Sequence, residues 1–233
     1  MGDLLQRAVD AQRGAAIVAA GRPLRAHGRI RGNILATRLR SPFVRPYRIE
    51  ADTTRPRARL EPFHRPGRVG LFEGDRVAIE EGGRLLTERS GARAHAQRHV
   101  RWDELDLLYF LGYALWNYLL TPYCFIWPGF VTRELEPWNG LERLEVTYPE
   151  GFPTHCRMQV FYFDPRAILV RLDYVAEIFG GWARGAHLLE DHHDFGGFVF
   201  PRHRIVRSVD AAGHPRSWFP AAMEGWIEEI RWD

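Results

Sequence analysis

The densest cluster of chemically capable side chains is Glu190-Asp191-His192-His193-Asp194. Two imidazoles among three carboxylates form a donor set that a transition metal accepts. In an extended segment, however, neighbouring residues point to opposite faces, so adjacent His192 and His193 do not converge on one ion. Asp194 with Gly196-Gly197 also has the composition of a turn. No HExxH pair and no separated His/carboxylate triad occurs. No metal and no cofactor is expected. The better candidates for chemistry are single polar groups at apolar positions. Asn117 is an amide inside the most apolar segment of the chain, where it must find partners or orient a ligand carbonyl or hydroxyl. Tyr174 sits mid-strand on an apolar face. Burial would keep its phenol neutral and able to act as an acid or an oxyanion donor. Tyr148 and Tyr162 share that reading.

Other chemistries are excluded or disfavoured. The chain contains no lysine, so all 32 basic residues are arginine. Schiff-base, pyridoxal-phosphate and Walker-type chemistry therefore lack their essential residue. His155 is expected in an exposed Phe152-Pro153-Thr154-His155 turn. Cys156 follows it, but adjacency in sequence is not a nucleophile–base geometry. Cys124 lies among aromatics and reads as an inert core thiol. His64 and His187 read as single structural histidines on strands. No GxSxG or glycine-rich phosphate loop is present. The net charge of +3 is small and the arginines are spread out. Arg25, Arg29 and Arg31 alternate with apolar residues, as the outer face of a strand does, so no nucleic-acid partner is expected.

The elements that must position these groups are legible from periodicity. A helix is expected over residues 3–20, with Asp3 at its start and Gly21 at its end. Leu24 to Ala36 alternates, with even positions inward; its small residues predict a closely packed helix there. Tyr47, Ile49 and Ala51 form another inner face, as do Ala58 and Leu60. Residues 69–79 read as a hairpin turning at Gly74-Asp75. Residues 81–100 read as loop. Residues 102–120 read as a helix apolar on nearly every side, and so buried all round. Asp103, Glu104 and Asp106 favour its first turn and Pro122 stops it. Residues 141–232 read as a strand meander. Its expected inner faces are Leu144-Val146-Tyr148, Met158-Val160-Tyr162 and the even positions from Ile168 to Ile178. Later strands are expected at Ala186–Glu190, Phe198–Val206 and Trp226–Trp232.

This order of elements, with Phe163-Asp164, Asp173-Tyr174 and the run from Asp191 to Pro201, resembles the lipoprotein-carrier (LolA/LppX-like) family. The resemblance implies an α+β fold: a curved antiparallel half-open β-barrel plugged by a hydrophobic helix, here as one domain over 1–233. It also implies an apolar cup that shields a greasy ligand from water. The N-terminal residues do not read as a signal peptide, unlike those of the exported family members, and Asp106, Asn117 and Pro122 interrupt the most apolar stretch. A cytoplasmic protein without a transmembrane segment is therefore expected.

The functional expectation is a binder of a hydrophobic small molecule, lipid-like or polyketide-like. Its ligand walls are expected to be Tyr109, Tyr113, Trp116, Asn117, Tyr148, Tyr162 and Tyr174. The alternative is a cofactor-independent biosynthetic enzyme, a cyclase or isomerase acting in the same cavity, with Tyr174 and Asn117 as its catalytic groups. The sequence sets no oligomeric state.

Overall fold

The N-terminal stretch 3–20 is two helices rather than one in the computed structural model, which describes residues 2–41 and 44–232. Met1, Pro42, Phe43 and Asp233, which the expected domain of 1–233 includes, lie outside the described residues. Helix α1 spans Asp3–Gln12 and α2 spans Ala15–Ala19. Arg13 breaks them apart by adopting a left-handed conformation (φ 59°), and the Gly14 N–H leaves the helix ladder to donate to the Tyr123 hydroxyl at 2.8 Å.

Among the described residues thirteen strands form one antiparallel sheet. Six of them precede the long helix: β1 Leu24–Gly32, β2 Val44–Ala51, β3 Arg57–Leu60, β4 Arg68–Glu73, β5 Arg76–Glu81 and β6 Arg84–Ser90. Seven follow it: β7 Val131–Trp138, β8 Leu141–Thr147, β9 Met158–Phe163, β10 Leu169–Val175, β11 Arg184–Asp194, β12 Val199–Ser208 and β13 Met223–Trp232. Each group is a meander of neighbouring strands. They join where β1 pairs with β13, leaving β6 and β7 as the two open edges. The sheet is thus open and not closed into a barrel, in keeping with the half-open fold that the family resemblance implies.

The chain passes from edge β6 to edge β7 through α3 (Ala92–Arg98) and α4 (Glu104–Leu120). Helix α4 starts with a capping box: the Asp103 carboxylate accepts from the Asp106 N–H, and the Asp106 carboxylate accepts from the Asp103 N–H, both at 3.0 Å. Every α4 residue except Glu104 and Tyr118 is buried, as its all-round apolarity requires. Gly112 lets the helix seat on β4, since a Cβ there would lie 2.6 Å from that of Phe72.

Several expectations are corrected. The small residues of β1 do not receive a helix: a Cβ on Gly28 would lie 2.0 Å from the carbonyl oxygen of Trp226, on the neighbouring strand, where the pairing with β13 shifts register. Strand β1 also ends at Gly32, and residues Asn33–Arg38 form a 3₁₀ helix. Residues 81–100 are not a loop but contain β6 and α3. Strand β6 is exposed on both faces, so it carries no alternation to read; β7, exposed except for half-buried Thr132, Leu135 and Trp138, starts the meander ten residues early. The face of β9 is inverted. Leu144 and Val146 point inward and pair with Phe161 and Gln159, and cross-strand partners share a face. Phe161 and Phe163 are therefore core, whereas Met158 is exposed and Tyr162 lies on the outer side. Strand β10 keeps the expected inward Leu172 and Tyr174, but it ends at Val175, before Ala176 and Ile178.

Trp116 is fully buried, and its indole N–H donates to the Asp52 carbonyl at 2.8 Å. Trp116→Ala is expected to cost about 3–5 kcal/mol in chemical denaturation. Leu85→Ala, on exposed β6, is expected to change stability by less than about 0.5 kcal/mol. Because both strand groups pack on one helix, calorimetry of the unliganded chain is expected to show a single transition. Two separated transitions would mean that the groups fold independently.

Candidate functional site

Helix α4 does not fill the inner face of the sheet. Between its second half and strands β1, β2 and β10–β13 lies a cavity of about 510 Å³. The helix supplies Phe110, Leu111, Ala114, Leu115, Tyr118 and Leu119, one stripe of its surface. Ala26 and Ile30 of β1, Tyr47 and Ile49 of β2 and Ile227 of β13 supply the opposite wall. The cavity opens where β11 begins and β12 ends. There Trp182 and Phe219 form a lip, 63% and 53% exposed, alongside Arg184, Arg207 and Arg216.

The polar groups of this mostly apolar wall gather on one side. His155, from the loop between β8 and β9, is buried rather than exposed as expected. Its Nδ1 is hydrogen-bonded to the Tyr113 hydroxyl at 3.0 Å and its Nε2 to the Tyr118 hydroxyl at 2.9 Å. The imidazole stacks on the Tyr174 ring at 4.1 Å. Tyr118 meets the His187 ring edge-on at 4.7 Å. Burial, with a smaller contribution from the Arg93 charge, pushes the His155 pKa down to about 3, and burial drives His187 down as well. Burial raises the Tyr118 phenol to about 12 and holds Tyr174 well above its usual value. The cluster is therefore uncharged at neutral pH, apart from Arg204 of β12 beside it.

Of the seven residues expected to wall a cavity, Tyr174 lines this one. Tyr113 stands behind it, holding His155. The other five lie elsewhere. Tyr109 faces Phe72 on the β4 side of the helix, with ring centroids 6.1 Å apart. Trp116 packs against Trp127 and Phe152. Asn117 donates to the carbonyls of Tyr113 and Pro153 at 2.8 and 2.7 Å, so its amide N–H groups pin the loop that carries His155. Tyr148 joins Phe125, Phe130 and Phe152 in a packed aromatic group. Tyr162, turned outward by the β9 register, donates to Asp173 at 2.9 Å and lies beneath the Arg171 guanidinium. The wall of α4 is the 110/114/118 stripe, not the 109/113/116 stripe.

The residues that periodicity alone passed over are Tyr118, His155, His187 and Arg204. A signal existed for the last two: Arg204 has the parity of Phe200 and Val206, and His187 that of Leu189, so both are polar residues at inward strand positions. His192 and His193 diverge as the strand geometry requires. His192 Nε2 is hydrogen-bonded to the Leu169 carbonyl at 2.8 Å, and His193 meets Phe195 edge-on. Cys124 is fully buried, with its thiol pKa raised by burial. Among the described residues no helix is long and apolar enough to cross a membrane.

No family model and no curated protein matches the sequence. Solved structures do match the fold. A LolA superfamily protein from Nitrosomonas europaea superposes with a TM-score of 0.54 at 10% identity, covering 97% of this chain and 92% of that one. A DUF1329 family protein from Desulfovibrio piger gives a TM-score of 0.49 at 12% identity over 100% of this chain and 94% of that one. At such identities the likeness is one of architecture, and it rests on the first of the two. The chain has a LolA-like fold.

Proposed function

We propose that this protein binds a hydrophobic small molecule, lipid-like or polyketide-like, in the cavity between α4 and the inner face of the sheet. The observation that carries the reading is the cavity itself. Protein interiors close to near-crystalline density, and an apolar void of this size is ordinarily a ligand site. Its aliphatic and aromatic walls offer area to bury, and Tyr174 and Tyr118 offer hydroxyls at one side to fix orientation.

A cofactor-independent enzyme on the same cavity is the second reading, and the His155–Tyr118–Tyr174 group is what favours it. Both ring nitrogens of His155 are already engaged by tyrosine hydroxyls, so neither is free to take a proton from a ligand. That supports binding over acid–base chemistry: the imidazole acts as a brace that orients two phenols.

Filling the cavity tests the binding site. Ala114→Trp is expected to lower the affinity for an apolar fluorescent probe at least tenfold, because the indole occupies the ligand's space. Trp116→Phe, outside the cavity, is expected to leave it within about threefold. Equal affinities in all three proteins would place binding elsewhere.

The brace also sets the response to acid. Folded His155 stays neutral down to a pKa of about 3, while the unfolded chain takes up a proton near 6.5. Its contribution to stability is complete above pH 6.5 and is lost as the pH falls towards 3, at about 1.4 kcal/mol per unit. Denaturation measured from pH 6.5 to 5, above most carboxylate titration, is expected to show this slope added to those of His187 and His192, which burial also holds down. His155→Gln is expected to remove the His155 share and leave the rest. An unchanged slope in the variant would show that His155 is accessible and titrates normally.

A further inference from the structure

Arg204 is a cation in the wall of an apolar cavity with no anion beside it. It stands on β12 between Leu189 of β11 and Gly225 of β13, and only 7% of its surface is exposed. Its guanidinium lies 4.8 Å over the Tyr118 ring and 4.6 Å over Phe200. Among the described residues its Nε has no hydrogen-bond partner, burial pushes its pKa down to about 10, and Tyr47 and Tyr174 line the same cavity. No carboxylate among the described residues forms an ion pair with it. Arg171, also buried, makes two bonds to Asp173, at 2.7 and 2.8 Å. Arg38 shares the unpartnered Nε, but it lies outside the cavity lining and donates to the Ile178 carbonyl at 2.7 Å.

A second orphan lies close by. His187 is 2% exposed, and its Nδ1 also lacks a partner. Both residues line the same cavity. A buried cation without a counter-charge is costly, and a packed aliphatic residue in its place would be more stable. Such a group persists where something else supplies the charge. The planar guanidinium fork matches a carboxylate, which accepts two parallel N–H bonds from it.

We propose that the cavity takes an amphipathic anion, an apolar body bearing a single carboxylate, with Arg204 as its counter-charge. The inference rests on the hydrophobic-ligand reading above and adds the head group. The carboxylate sits between Arg204 and the hydroxyls of Tyr174 and Tyr47, and the apolar body runs along Leu111, Leu115 and Ile30.

Three probes of equal chain length separate charge from apolarity: hexadecanoate, hexadecanol and hexadecyltrimethylammonium, each competing against the bound fluorescent probe at pH 7.5. Hexadecanoate is expected to bind roughly 10- to 100-fold more tightly than the alcohol, the scale of a charge-assisted hydrogen bond, and the ammonium more weakly than either. Arg204→Met is expected to bring the acid down to the affinity of the alcohol while leaving the alcohol within about threefold. It is also expected to raise the melting temperature of the unliganded protein. Arg204→Lys, which keeps the charge and loses the fork, is expected to fall between. Equal affinity for acid and alcohol in the unaltered protein would overturn the proposal, as would a preference for the acid that survives Arg204→Met. Binding of neither acid nor alcohol would overturn the hydrophobic-ligand reading itself. The comparison in the unaltered protein decides the matter even where a variant does not fold.

Discussion

The structure depends on one covalent fact: the chain must travel from one open edge of the sheet to the other. Strands β1–β6 run outward from the β1–β13 pair in one direction, and β7–β13 return to it from the opposite edge. The link between β6 and β7 therefore crosses a face of the sheet. A crossing backbone on a buried face must satisfy its own N–H and C=O groups, and a helix does so internally. Seventeen residues of α4 cover roughly 25 Å at 1.5 Å per residue. The apolarity of that helix on nearly all sides, the glycine that seats it and the capping box that starts it all follow from this crossing. So does the cavity, because one cylinder laid across a wide sheet cannot touch every strand.

How much of this was legible in the sequence depended on whether an element had one dry face. Strands β1 to β5 and helix α4 have strong apolar signals, and they were readable. Strands β6 and β7 are the sheet's edges, wet on both sides, and edges need charges more than they need alternation. Arg84, Glu88 and Arg89 on one and Arg133, Glu134 and Pro137 on the other answer that need; they made the first segment read as loop and left the second outside the expected meander. Strand β9 failed for the opposite reason. Met158, Val160 and Tyr162 are as apolar as Phe161 and Phe163, so parity could not choose a face; only pairing with β8 does.

The site was less legible than the fold. A rotation of about 100° separates the 109/113/116 stripe of α4 from the 110/114/118 stripe, and a helix that is apolar all round does not say which stripe faces the void. Asn117 showed itself as an anomaly, and it is one, but its two N–H groups are spent on the backbone of Tyr113 and Pro153. His155 was misplaced because its turn is polar in sequence while the aromatic rings of Tyr113, Tyr118 and Tyr174 enclose it in space. Residues far apart in the chain supply that enclosure, and no local pattern encodes it.

The seam between β1 and β13 has a kinetic meaning. It joins Leu24 to Trp232, the first strand of the sheet to the last, whereas every other ladder among the described residues joins strands that are consecutive in sequence. Closing so long a loop carries the largest entropy cost of any pairing in the molecule. Hairpins on both sides form without it. The cavity does not, since its walls come from β1 and β2 on one side of the seam and from β10–β13 on the other. Synthesis on the ribosome delivers β13 after the other twelve strands. The cavity is thus enclosed only when β13 has emerged and has found β1, and a chain cut short before β13 would keep most of its strands and lack the wall that encloses the site.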